Sequence, residues 1–231
     1  MACGSGGSGY FGKLPARADF VTGACPTGFL KLWEPFLIKG LAQSRLDLKD
    51  TWEEAYMTMP VWQFWMKPAN GGKFEGAVAG AVMPSVDRVG RKFPLTVVAP
   101  VSSAGGNGVR PAGDWYETVE AILLQTLRED ADLGGFQEAV ADLELPVPAL
   151  MDGTPDGTPD LAAMEETGAW VSSGFRCRAG DREYAFTCSG LPHANAFRWL
   201  ILPEAYGGGA AEEQEGAATS RGLYHPEDSR T

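Results

Sequence analysis

The feature of the sequence that most constrains the fold is a charged turn between two apolar runs. The runs GAVAGAVM (residues 76–83) and FPLTVVAPV (residues 93–101) contain no charged side chain. Uncharged runs rich in small and β-branched residues are typical of strands that are covered on both faces. Between the runs, Asp87, Arg88 and Arg91 lie within five residues of one another. The pattern therefore predicts a turn that is held by a buried core and that either displays or buries three charges.

Length and composition favour a single folded domain. The chain has 231 residues, of which 44% are hydrophobic, and a chain of this length can bury about 70% of its unfolded surface. Residues 10–204 are therefore predicted to form one domain. Residues 1–9 are rich in Gly and Ser, whereas residues 205–231 are acidic and poor in bulky apolar side chains. Both terminal segments are predicted to be disordered.

The formal net charge of −11 bears on the class of partner. Binding to nucleic acid or to an anionic membrane needs clustered Lys and Arg, so neither is an expected partner. No apolar run approaches the roughly 20 residues of a membrane-spanning helix, and the N-terminal residues lack the basic and apolar regions of a signal peptide. A cytoplasmic protein without direct membrane insertion is predicted.

The first helix is predicted from apolar residues that recur at helical spacing after Thr27, a candidate N-cap. Pro35 limits where this helix can begin, because proline is tolerated only where the backbone N–H has no partner within the helix. We therefore predict that the regular helix begins near Leu32 and ends near Arg45.

Two further helix starts carry the spacing of a capping box, Asp50 with Glu53 and Asp114 with Glu117. The second of these helices is predicted to run to about Arg128. Its predicted buried face consists of Tyr116, Val119, Leu123 and Leu127. Another helix is predicted at residues 135–143, and further strands at residues 61–66, 169–177 and 184–188.

Residue types that carry catalysis or metal binding in other proteins form no recognisable pattern here. Cys3, Cys25, Cys177 and Cys188 contain no C-x-x-C pair, so free thiols are predicted rather than a disulfide or a zinc site. His193 has no indicated acid partner. No catalytic residue, cofactor or metal is expected.

Two interpretations of the charged turn remain open. In the first, the arginines form structural ion pairs with carboxylates, which suits a buried loop. In the second, Asp87, Arg88 and Arg91 form a phosphate-sensing or hydrolytic site, which predicts an open hollow lined by positive charge. We favour the first, because a single acid with no nucleotide-binding loop is a thin basis for phosphoryl chemistry.

Two long motifs lie in the N-terminal half of the chain. The first is GKLPAR at residues 12–17 followed by DFV at 19–21, and the second is MPSVDRVGR at 83–91 followed by FPL at 93–95. Over about residues 10–101 the chain resembles the TagF family, accessory proteins of the bacterial type VI secretion system. It departs from the family at Ala18, usually Gly, and at Leu32, where the family has proline before the tryptophan. The residues that carry the resemblance are Gly12, Lys13, Pro15, Arg17, Asp19, Phe20, Trp33, Trp62, Pro84, Ser85, Asp87, Arg88, Gly90, Arg91 and Pro94.

The resemblance implies an α/β fold, a three-layer α/β/α sandwich around a mixed central sheet. It also implies a cytoplasmic accessory protein without enzymatic activity or cofactor. Such a protein would repress type VI secretion assembly after translation, within a threonine-phosphorylation pathway, by binding a forkhead-associated-domain protein. The motif residues are then expected to be structural or to contact this partner. The oligomeric state is left open.

Overall fold

The computed structural model describes residues 7–68, 76–101, 111, 113–147 and 171–205. In these residues seven strands form one sheet, in the order β2-β1-β5-β4-β3-β6-β7. The strands are β1 (Gly9–Lys13), β2 (Phe20–Gly23), β3 (Trp62–Pro68), β4 (Val78–Met83), β5 (Leu95–Pro100), β6 (Val171–Ala179) and β7 (Arg182–Ser189).

The α/β class is confirmed, but the expectation of a mixed sheet is wrong. Each of the six pairs of neighbouring strands is antiparallel. Four of these pairs join strands that are consecutive in the chain, and a short connection can only reverse the chain direction. The hairpins therefore account for four of the six antiparallel pairs, whereas β1–β5 and β3–β6 join strands that are distant in the chain.

The two apolar runs form β4 and β5, which pair from Val78 with Pro100 to Met83 with Leu95. All residues of β4 are buried, and so are all residues of β5 before Pro100. The prediction of strands covered on both faces is therefore confirmed. Both strands begin two residues later than the apolar runs.

One face of the sheet is covered by α1 (Phe29–Leu48), α2 (Trp52–Met57) and α5 (Phe197–Ile201). Trp33 of α1 is fully buried and stacks on Phe64 of β3, with 4.3 Å between ring centroids. Its indole N–H donates a hydrogen bond to Thr96 Oγ1 at 2.9 Å. Three short 3₁₀ helices flank these elements, at Lys49–Thr51, Ala194–Ala196 and Pro203–Ala205.

The opposite face is covered by α3 (Gly113–Gln125) and α4 (Leu133–Ala141). Tyr116 of α3 is buried, and its hydroxyl donates to the Phe64 carbonyl oxygen at 3.0 Å. Val119 and Leu123 belong to the same apolar cluster as Leu95 of β5. Helices therefore lie against both faces of the sheet.

The predicted bounds of the first helix are wrong. Helix α1 begins at Phe29 behind Gly28, which has a φ of 84°, and Pro35 lies inside the helix. Phe29 and Trp33 are both fully buried, and their rings stack at 5.3 Å. Burial of two aromatic side chains outweighs the one backbone hydrogen bond that proline removes. Thr27 is not the N-cap.

The predicted capping boxes are also wrong. Asp50 lies in the 3₁₀ turn before α2, whose N-cap residue Thr51 makes no side-chain capping bond. Asp114 lies inside α3, which begins one residue earlier. Helix α3 ends at Gln125, so Leu127, predicted to be buried, is 59% exposed. A cap forms instead at α4, where the Asp132 carboxylate accepts the Gly135 N–H at 2.7 Å.

Ordered structure begins before Tyr10, because β1 starts at Gly9 and Ser8 is buried. Most of both termini predicted to be disordered, residues 1–6 and 206–231, lies outside the described residues. The assignment of residues 10–204 to one domain stays a prediction. No helix in the described part of the chain has the length and apolar character needed to cross a membrane.

Candidate functional site

Both sequence motifs meet at one end of the sheet. Residues 14–19 connect β1 to β2 and residues 84–94 connect β4 to β5, while β1 and β5 are neighbours in the sheet. The Arg88 N–H donates to the Arg17 carbonyl oxygen at 2.9 Å, and the Ser85 hydroxyl donates to the Lys13 carbonyl oxygen at 2.8 Å. We call residues 13–20 and 84–94 the two-loop site.

A close approach of two backbones requires the glycine of the first motif. Gly12 has a φ of 142°, and a Cβ atom there would lie 2.0 Å from the Pro94 carbonyl oxygen. No L side chain fits this position without displacing the backbone. Gly12 and Pro94 therefore belong to the same packing contact between the two motifs.

The Asp87 carboxylate is the centre of the two-loop site and is fully buried. Its Oδ2 accepts hydrogen bonds from Lys13 Nζ and from Arg91 Nε, both at 2.6 Å. Its Oδ1 accepts the backbone N–H groups of Val89 at 3.0 Å and of Arg91 at 2.8 Å. Because an ionised carboxylate has about four lone-pair sites, these four donors occupy its hydrogen-bonding capacity.

Two opposing effects act on the pKa of Asp87. Burial alone would raise it, but the Lys13 ammonium and the donors on Arg91 and Val89 stabilise the charged form and lower it well below its usual range. The carboxylate is therefore ionised at neutral pH. A general acid or base needs a pKa near the working pH, so Asp87 is unsuited to either role.

The turn itself is built by local backbone bonds. Asp87 N–H donates to the Arg91 carbonyl oxygen at 3.0 Å, and Gly90 N–H donates to the Asp87 carbonyl oxygen at 2.9 Å. Gly90 has a φ of 84°, a left-handed conformation that glycine adopts at little cost. A single bridge between Val86 and Lys92 closes the base of the turn.

Tyr56 joins α2 to the two-loop site. Its hydroxyl donates to the Ser85 carbonyl oxygen at 2.9 Å and accepts the Ser85 N–H at 3.0 Å. Burial raises the pKa of Tyr56 above its usual range, which keeps the hydroxyl protonated and able to donate. Nothing in the sequence around Tyr56 signals this contact with Ser85.

Arg88 does not form the structural ion pair expected of it. Its side chain is exposed and makes no hydrogen bond or ion pair with any residue that the structure describes. The cation that reaches Asp87 from outside the turn is Lys13, whose side chain is only 7% exposed. A lysine ending the buried strand GYFGK was the one available signal, since a buried ammonium needs a partner.

Other exposed members of the motifs surround the buried carboxylate. Arg17 and Asp19 are exposed, and their side chains have no partner in the described parts of the chain. Phe20 is 50% exposed although its ring packs against Phe93, with 4.8 Å between the ring centroids. The Arg91 side chain is 59% exposed and also donates through Nη2 to the Ala18 carbonyl oxygen.

The motif residues therefore divide into three groups. Gly12, Lys13, Ser85, Asp87, Gly90, Arg91 and Pro94 hold the two loops together, and Pro15 and Pro84 are partly buried within those loops. The two tryptophans lie in the core, where Trp62 donates its indole N–H to the Leu200 carbonyl oxygen at 2.7 Å. Arg17, Asp19 and Arg88 point their polar groups to solvent, and the half-exposed Phe20 belongs with them at the surface.

Residues 9–143 match the family model described as the TagF N-terminal domain, type VI secretion system-associated. The chain belongs to the TagF family. Its structure is similar to the crystal structure of PA0076 from Pseudomonas aeruginosa PAO1, with a TM-score of 0.67 and 30% sequence identity. That similarity covers 97% of this chain and 99% of PA0076. No curated protein matches the chain.

The whole two-loop site lies inside the region matched by the TagF model. Strands β6 and β7 and helix α5 follow that region and complete the sheet and its core. A separate groove of about 410 Å³ lies between α3 and α4, against Thr126, Asp130 and Phe136. Among the described residues, no three His, Cys, Asp or Glu side chains are grouped to hold a metal ion.

Proposed function

We propose that this TagF-family protein is a regulator that acts by binding rather than by catalysis. It represses assembly of the type VI secretion system after translation, by binding a forkhead-associated-domain scaffold protein in the cytoplasm. The match to the TagF family model supports a role in this system. The threonine-phosphorylation pathway is the proposed setting of this repression.

The observation that carries the proposal is the state of Asp87. The carboxylate most suited to chemistry in the charged turn is buried and accepts four hydrogen bonds from within the protein. A substrate or a metal ion would have to displace Lys13 or Arg91 to reach it. The network therefore favours a structural brace, and it leaves contact with a partner to the exposed residues around it.

A phosphate-sensing or hydrolytic site is the second candidate, and only one observation favours it. The Arg88 guanidinium is exposed and available to a ligand. The other two members of the turn, Asp87 and Arg91, are already bonded to each other. Hydrolysis of a phosphoester that is lost on Asp87→Asn, with the fold retained, would support this candidate.

The proposed function is tested with the full chain and the forkhead-associated-domain scaffold protein from the same bacterium. Isothermal titration calorimetry should detect a complex at micromolar or lower concentration, and overexpression should reduce secretion of a type VI substrate. A forkhead-associated domain from an unrelated pathway serves as the control. No complex at micromolar concentration, together with unchanged secretion, would contradict the proposal.

A further inference from the structure

The two-loop site is a basic region on an acidic protein. It holds five basic and two acidic side chains, whereas the whole chain carries 19 basic and 30 acidic residues and a net charge of −11. Three of the five basic side chains are engaged, since Lys13 and Arg91 bind Asp87 and Lys92 binds Glu53 at 2.7 Å. Arg17 and Arg88 remain without a side-chain partner among the described residues.

The guanidinium groups of Arg17 and Arg88 belong to backbone segments that are bonded to each other. Arg88 N–H donates directly to the Arg17 carbonyl oxygen at 2.9 Å. The Asp87 network then fixes the turn, and the Arg91 guanidinium bonds the neighbouring loop at Ala18. A surface that is ordered before binding loses less conformational entropy when a partner docks.

Apolar side chains lie beside these charges. Val89 is 64% exposed and follows Arg88 directly, and Phe20 is 50% exposed. The Phe20 ring is part of the same network, because Lys13 Nζ lies 5.3 Å from its centroid. Arginine and aromatic residues are the types most enriched at the energetic centres of protein interfaces.

We infer that Arg17 and Arg88, with Phe20 and Val89 beside them, form the surface on which this protein docks to its partner. The complementary surface on the partner is a protein patch with carboxylates around an apolar centre. Charge selects this occupant, because the two guanidinium groups that lack a side-chain partner among the described residues attract a carboxylate surface. Two arginines are fewer than the clustered Lys and Arg that nucleic acid requires. The inference rests on the proposed function and adds the docking surface and the chemistry of the partner.

The test compares purified full-length variants with the wild type in calorimetric titrations with the forkhead-associated-domain scaffold protein. The double variant Arg17→Glu/Arg88→Glu reverses the charge at both positions. The matched control Arg178→Glu/Arg182→Glu makes the same change in net charge at the hairpin between β6 and β7, on the far edge of the sheet. All four arginines are exposed, so thermal unfolding should show that each variant folds as the wild type does.

The Arg17/Arg88 variant should bind at least about tenfold more weakly than the wild type, and the control variant within about twofold. Wild-type affinity should also fall with added salt, because the attraction of exposed charges is screened. Val89→Asp should weaken binding as well, and it leaves both arginines in place. Equal affinity of the Arg17/Arg88 variant and the wild type would overturn the inferred docking surface and leave the proposed function standing.

Two other outcomes are informative. If the wild type does not bind the scaffold protein, the proposed function and this inference are both overturned. If inorganic phosphate competes with the scaffold, or dephosphorylation of the scaffold removes binding, the recognised group is a phosphate. That result would overturn the carboxylate surface.

Discussion

Lys13 and Asp87 form a buried ion pair between residues that are 74 positions apart in the chain. Removing one partner of such a pair leaves the other charge buried without full compensation. We expect Lys13→Met, which keeps most of the apolar part of the side chain, to lower the free energy of unfolding by about 3 kcal/mol. Chemical denaturation of the purified variant measures this change.

Arg88→Ala is the control for the Lys13 variant. Because the Arg88 side chain is exposed and has no partner in the described residues, its removal should change stability by no more than about 0.5 kcal/mol. A loss for Arg88→Ala as large as that for Lys13→Met would mean that Arg88 braces the turn after all. Equal stability of Lys13→Met and the wild type would show that Arg91 alone compensates the buried charge of Asp87.

Asp87 also predicts how stability depends on pH. Its pKa is lower in the folded protein than in the unfolded chain. Its contribution is therefore complete above the unfolded pKa of about 3.9 and is lost as the pH falls through the folded pKa. The difference in unfolding free energy between the wild type and Asp87→Asn should shrink between about pH 5 and about pH 2. A difference that stays constant over this range would contradict the lowered pKa.

At the scale of elements, α1 shows packing that overrides local preference. Pro35 is exposed and lies within the helix, after its first turn. The helix start predicted from the sequence is three residues too late, because the rule for proline takes no account of the burial of Phe29 and Trp33. The helix keeps its full length since both aromatic side chains need the first turn to reach the core.

Pro35 therefore lowers the stability of the helix. In a free helix interior, proline is about 3 kcal/mol less favourable than alanine. We expect Pro35→Ala to raise the free energy of unfolding by about 1 kcal/mol or more, as the restored N–H can bond the preceding turn. Denaturant unfolding measures the gain, and Lys39→Ala, also exposed in α1, should stay within about 0.5 kcal/mol of the wild type. A destabilised Pro35→Ala would mean that proline is needed for the geometry of this helix.

At the scale of the whole molecule, the low reactivity of the cysteine thiols depends on an intact core. The three described cysteines, Cys25, Cys177 and Cys188, are free, as the sequence predicted. Burial raises the pKa of Cys25 to about 11 and, together with the charges of Glu120 and Glu183, that of Cys177 to about 12. Burial raises the pKa of Cys188 as well. Only the thiolate is a good nucleophile, so all three are poorly reactive in the folded protein.

A Cys3→Ser variant makes this property measurable. With an aromatic disulfide reagent at about pH 8, fewer than one thiol per folded chain should react at the rate of a free cysteine. All three should react at once after denaturation, which provides the internal control. A full equivalent of fast reaction in the folded protein would show that one of the three sites is open.

The sequence alone identified the two-loop site more accurately than it identified the interactions within it. The uncharged runs predicted β4 and β5 and the charged segment between them predicted the turn, because burial on both faces leaves a local mark on residue choice. The bounds of α1 and α3 were wrong by up to three residues. Those bounds depend on which side chains the rest of the fold can bury, and residue periodicity does not contain that information.

The local chemistry of the chain was therefore determined by the sequence: the strands around the turn, the glycine within it, the free thiols and the motifs of the TagF family. The tertiary structure alone decided that Lys13 rather than Arg88 meets Asp87, and that the sheet is antiparallel throughout. The physical reason is the same in both cases, because each depends on which strands that are distant in the chain become neighbours in the sheet. An ion pair across 74 residues exists only once the strand order has brought β1 beside β5.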